Sequence, residues 1–240
     1  MAVRFIARVP DPILHDDGRR SALAHLCGEL VTGANWLEAD VLVSLVEADL
    51  AAVVGLLPDE GALTPALSLL RAGLGPEPHG TAFELYRQSR FTHADGVWQP
   101  DPAHHVPSVV GGPHGGRGVR ILIQRSFEGT GKVHERLIAD ILRTRSEHGC
   151  VEYAWTQSDL HPQHHALLEL WATPQHYDAH WALRLSSGVA GQRNTGPAVA
   201  RAGGSDAMEF YRHTAYREMY GRVLPADADQ QATTIRWPLP

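Results

Sequence analysis

Apolar and polar positions alternate most clearly in the second half of the chain. Val119 to Phe127 is aliphatic and β-branched, which predicts a strand, and Gly129 to Gly131 predict a turn. From Val133 the apolar residues Leu137, Ile138, Ile141 and Leu142 keep helical spacing, and Gly149 is where that helix should stop. Val151, Tyr153 and Trp155 alternate along 150–157, a second strand. Asp159 and Pro162 predict a hairpin turn, and His164 to Ala172 a third strand. Pro174 suits the first turn of a helix running to about Leu185. A Gly- and Ser-containing loop, 186–206, then leads to a fourth strand over Met208 to Tyr216. The predicted order is β-α-β-β-α-β.

The pattern recurs. Val3-Arg4-Phe5-Ile6 answers Val119-Arg120-Ile121-Leu122 at an offset of 116. Leu37-Glu38-Ala39 answers Val151-Glu152-Tyr153 at 114, as Ala52 to Leu57 answers Ala166 to Trp171. Phe83 to Arg87 matches Met208 to Arg212 at 125, and Val97 to Pro100 rhymes with Ile235 to Pro238. Matches in one order predict two copies of one unit. The expected fold class is α+β: two tandem ferredoxin-like units packed sheet to sheet as an α/β-barrel pseudo-dimer. The expected units are residues 1–100, a structural copy, and 119–240, with a linker at 101–118 that holds three prolines, five glycines, His104, His105 and His114.

Composition narrows the class. The 240 residues are 43% hydrophobic and 20% charged, enough for packed cores. A net charge of -6 argues against a protein that grips nucleic acid through phosphates. Cys27 and Cys150 make no disulfide framework, and no apolar run is long and uncharged enough for a membrane span, so a cytoplasmic location is expected.

Common catalytic motifs are missing: no GxGxxG, GxxxxGK[ST] or GxSxG occurs, and Ile138 stands where HExxH needs its second histidine. His161, His164 and His165 lack a completing acid or thiol, so no metal is expected. His176 and His180, four residues apart, share a helix face.

Gly149 to Arg184 carries the most specific pattern: Gly149-Cys150 before strand two, Glu169-Leu170-Trp171 closing strand three, then Tyr177 and His180 on the next helix. This half of the chain resembles the antibiotic biosynthesis monooxygenase family. The tandem arrangement resembles its angucycline B-ring-opening oxygenases. The resemblance implies oxidation of a polycyclic hydroxyarene or quinone with molecular oxygen, with oxidative C–C cleavage. It also implies reduced flavin (FADH2) as cosubstrate, a flavin reductase as partner, and a monomeric pseudo-dimer or a homodimer. Heme-degrading relatives, or a non-catalytic ligand-binding barrel, are the alternatives. Leu167 stands where anthrone oxygenases carry Asn, and strand 119–127 has none of the Asn that heme degraders use.

At the repeat offset of 114, Trp171 faces Leu57, Tyr177 faces Leu63, His180 faces Ala66 and Glu169 faces Gly55. The second copy is therefore expected to hold the chemistry. His180 suits a base that deprotonates a phenol, Tyr177 a hydrogen bond at the resulting oxyanion, and Trp171 a ring surface. These three are the expected catalytic residues. Trp155, Trp181, His176, Arg184, Arg193 and Tyr211 are the expected substrate contacts. The second copy is 11 residues longer at 186–206, an expected lid.

Overall fold

A computed structural model describes residues 2–9, 13, 15–33, 35–47, 50–65, 68, 83–88, 90–94, 97–100, 118–128, 131–187, 207–212, 215–219 and 222–225. The expected linker and lid, with Arg193, lie outside them, apart from Gly118 and the loop's first residues, Ser186 and Ser187. The class is α+β, with antiparallel pairing between neighbouring strands within each unit. Two compact units emerge. The first comprises 1–88, 158–162 and 214–235, the second 89–157, 163–213 and 236–240.

In the first unit, β1 (Val3–Arg8), α1 (Asp17–Gly33), β2 (Glu38–Ser44), β3 (Ala51–Leu57) and β4 (Phe83–Arg87) give the sheet order β4-β1-β3-β2. Alternation along β1 sends Val3, Phe5 and Ala7 to one face, where α1 covers them with Leu23, Cys27 and Leu30. Burying each Val, Phe or Leu side chain of this set contributes about 1.5–3 kcal/mol. Trp36 joins this core by lying across Gly55 of β3. A Cβ at Gly55 would fall inside its ring and 2.7 Å from Cε3.

The second unit repeats the plan with β7 (Val119–Ser126), α2 (Gly131–Thr144), β8 (Cys150–Ser158), β9 (His164–Trp171), α3 (Pro174–Ser186) and β10 (Ala207–Arg212). Its sheet runs β10-β7-β9-β8, the same order position for position. Helix α2 stops at Thr144 rather than at Gly149, because the backbone turns to shorter bonds. Glu147 N donates to Thr144 O and Cys150 N to Glu147 O. Gly149, at φ 80°, then redirects the chain into β8, and Asn35, at φ 58°, does so at the equivalent place before β2.

A polar row on the sheet face opposite the helices repeats as well. Tyr86, Arg4, Leu56 and Glu38 lie in register across the first sheet, and Tyr211, Arg120, Leu170 and Glu152 across the second. Arg4 pairs with Glu38 at 3.2 Å and Arg120 with Glu152 at 2.8 Å. The Tyr86 and Tyr211 hydroxyls donate to Glu84 and Glu209, respectively. These pairs fall at the offsets read from the sequence.

The run expected as one strand over Met208 to Tyr216 is two. It comprises β10 and β11 (Ala215–Met219), and β11 forms a hairpin with β12 (Arg222–Pro225). In the first unit β11 pairs with β4, and in the second unit β5 (Arg90–Ala94), with its hairpin partner β6 (Val97–Pro100), pairs with β10. Each unit thus holds a hairpin from the other half of the sequence. Among the described residues no helix is long and apolar enough to cross a membrane.

Candidate active site

The helix-covered face of the second sheet is unusually polar. Phe210, Ile121, Glu169 and Tyr153 form one row across it, and Val119, Trp171 and Cys150 the next. Above them α3 starts at Pro174 because Thr173 caps it, accepting the His176 backbone N–H. The spacing of Tyr177, His180 and Arg184 puts all three on the buried face of that helix.

Gly149 permits the close approach of α3. A Cβ there would fall inside the His176 imidazole. His176 itself stays at the rim, its Nδ1 3.0 Å from Thr173 Oγ1 and its ring edge-on to His148.

His180 is 4% exposed and pinned from two sides. Its Nδ1 lies 2.8 Å from Glu147 Oε2, and its ring tilts over Trp171 with centroids 4.7 Å apart. Trp171 is fully buried and donates Nε1–H to Glu169 Oε2 at 2.8 Å. Burial raises the Glu169 pKa above the ordinary carboxylate value, against the lowering influence of His180 and the Trp171 hydrogen bond. Tyr177 packs edge-on against Phe210 at 5.2 Å and near Trp171. Its hydroxyl is buried and, among the described residues, has no hydrogen-bond partner. Burial also holds the Tyr177 phenol well above its usual pKa, so it can act as a donor.

A second network lies beside the first. Arg184 Nη2 donates to Asp140 Oδ2 and to the Tyr153 hydroxyl at 2.6 Å. Tyr153 donates to the same carboxylate at 2.8 Å, and Trp155 Nε1 approaches it at 3.4 Å. Burial alone would raise the Asp140 pKa, but Arg184 and the two ring donors hold it below the usual value.

Trp171, Tyr177 and His180 therefore come together, with Trp155 and Arg184 alongside. Tyr211 does not join them: it neighbours Phe210 in β10, so it points to the opposite face, into the Arg120 row. Trp181 is half-buried and His176 peripheral. Asp140, Glu147, Tyr153 and Glu169 were absent from the expected set. The signal for Asp140 was a carboxylate within the Leu137, Ile141 and Thr144 stripe of α2. Among the described residues no group of three or more potential metal ligands converges.

The first unit has no counterpart of this arrangement among the described residues. Trp36, which aligns with Cys150, fills the space over Gly55 that Glu169 and its neighbours occupy in the second.

No family model matches the chain, and no curated protein matches it. Solved structures do match over most of its length, at low similarity. Aldoxime dehydratase (OxdRE) in complex with butyraldoxime is 11% identical over 95% of this chain and 80% of its own, with a TM-score of 0.46. An anthrone oxidase-like protein is 11% identical, covering 88% and 90%, with a TM-score of 0.29. A heme-binding protein from Thermus thermophilus is 12% identical, covering 95% and 92%, with a TM-score of 0.26.

Proposed function

We propose that the chain is a tandem pair of ferredoxin-like units whose second unit is the catalytic half of an oxygenase. Its substrate is an aromatic polyketide of the angucycline type, a polycyclic hydroxyarene or quinone, and its oxidant is molecular oxygen. One observation carries this reading: His180, ordered by Glu147 and Trp171, shares a buried aromatic layer with a Tyr177 hydroxyl that is unpaired among the described residues, whereas Trp36 fills the equivalent layer of the first unit.

In this reading the phenolic proton of the substrate moves to His180 Nε2, the ring nitrogen that Glu147 leaves available. Tyr177 donates a hydrogen bond to the anionic oxygen as charge spreads over the ring system. The electron-rich phenolate then reacts with oxygen. Monooxygenation with water as the second product consumes two electrons, which an anthrone-like substrate supplies itself. Ring cleavage of a quinone needs them from outside, and reduced flavin would supply them. The cation that α3 places on this face, Arg184, is tied to Asp140 and Tyr153 rather than offered to a flavin phosphate. In this reading reduced flavin is an exchanged cosubstrate rather than a resident group.

The test is oxygen uptake with a hydroxyanthrone and with a hydroxylated benz[a]anthraquinone, each with and without reduced FAD. Wild-type protein is expected to consume oxygen, and His180→Ala to lose about 10²–10⁴-fold of that rate. No uptake with either substrate under any condition would refute the reading.

A further inference from the structure

We infer that Glu147 is a positioning residue that fixes the tautomer of His180, holding the proton on Nδ1 and leaving Nε2 unprotonated. The inference rests on the reading of His180 as the base, but its geometry stands apart from any particular substrate.

Four observations support it. The 2.8 Å contact joins Nδ1 to a carboxylate oxygen, and an ionised carboxylate only accepts, so Nδ1 must carry the hydrogen. Glu147 is anchored by backbone bonds on both sides: its N–H reaches Thr144 O at 2.9 Å and its C=O accepts from Cys150 N at 3.1 Å. The Glu147 side chain is 16% exposed while that of His180 is 4% exposed, so the carboxylate keeps some hydration while ordering a ring that has almost none. Finally, both partners are missing from the first copy. At the repeat offset of 114, Glu147 corresponds to Gly33 and His180 to Ala66. The pair is present in the unit with the buried polar layer and absent, as a pair, from the unit filled by Trp36.

The neutral tautomer decides what the ring can do. With Nδ1–H held by Glu147, Nε2 keeps its lone pair and accepts a proton from the substrate. The resulting imidazolium keeps Glu147 as its counter-ion, and Trp171 lies beneath it with the negative face of its indole. Without Glu147 no other described residue holds the tautomer, and a large share of the molecules would present Nε2–H, which cannot act as a base.

The experiment is ¹⁵N-histidine NMR of the full chain at pH 8, reading the Nδ1 and Nε2 resonances of His180, which His180→Ala assigns. Wild type is expected to show a single Nδ1–H tautomer. Glu147→Gln retains an acceptor oxygen and should keep it, whereas Glu147→Ala should show a mixture of tautomers. Oxygen uptake should fall severalfold in Glu147→Ala and recover part of that loss in Glu147→Gln, which restores the tautomer but not the counter-ion. An Nε2–H tautomer in wild type, or an unchanged single Nδ1–H tautomer in Glu147→Ala, overturns the inference. If Glu147→Ala does not fold, loss of the Nδ1–H tautomer in Glu147→Gln overturns it instead. If the tautomers behave as expected while oxygen uptake ignores both His180 and Glu147, the positioning stands and the oxygenase reading fails.

Discussion

Gly149→Ala separates two physical costs that coincide at one atom. The residue sits at φ 80°, where an L-side chain costs about 1–2 kcal/mol. Its new Cβ would also lie inside the His176 ring, an overpacking that typically costs about 1–3 kcal/mol. The lower entropy of the unfolded alanine chain returns about 0.4–1 kcal/mol. The net loss should be about 1–5 kcal/mol, measured as a shift of the urea midpoint at constant slope. His176→Ala removes the steric part along with the ring's own contacts to Thr173 Oγ1 and His148, which cancel in a double-mutant cycle, while the cap made by Thr173 on the backbone N–H of residue 176 remains. In the double variant the penalty for alanine at 149 should therefore shrink to the backbone share, and the cycle should show a coupling of about 1–3 kcal/mol. A Gly149→Ala cost below about 0.5 kcal/mol would refute the reasoning. So would a cost that His176→Ala leaves unchanged.

Three further outcomes are expected. Trp36→Ala should cost about 3–5 kcal/mol by opening the core over Gly55, yet leave the oxygen-uptake rate of the surviving folded protein within about twofold; a large rate loss would move the chemistry into the first unit. Asp140→Ala should cost about 3–5 kcal/mol because it strands the Arg184 charge, and Asp140→Leu with Arg184→Met should recover most of that in a thermal melt. Burial pushes the pKa of His165 down to about 4, and its ring pairs with His134 at 2.9 Å. Because the folded value lies below the unfolded 6.5, the unfolded chain takes up the proton first as pH falls. Stability present above pH 6.5 should therefore be lost between about 6.5 and 4, on the order of 3 kcal/mol in denaturation midpoints. A His165→Asn variant that loses stability equally over that window would contradict this.

The convergence of Trp171, Tyr177 and His180 was legible because helix spacing and strand ends follow from local pattern. So was the recurrence of Arg4, Glu38 and Tyr86 as Arg120, Glu152 and Tyr211, which keep the same pairing register. The second face of a strand is equally local: Tyr211 follows Phe210, so parity alone separates it from the site. Glu147 was harder to see, because its partner lies 33 residues away and only the turn after α2 aims it. Least legible was the hairpin exchange. Pairing of Ala215 with Glu84 depends on which sheet edge is open, and no residue pattern near either one encodes that.

That exchange sets a schedule for synthesis. The edge strand β4 ends at Arg87, and its neighbour β11 begins at Ala215. At roughly 5–20 residues per second, the roughly 130 intervening residues take about 6–26 s to emerge. Throughout that interval β4 presents an unpaired row of backbone donors and acceptors, and the cost of closing so long a loop delays its pairing further. The nascent chain is therefore most prone to pair with a neighbouring chain after its first ninety residues are made and before its last strands exist. Slowing translation within the second half should lower the yield of folded protein more than slowing it within the first.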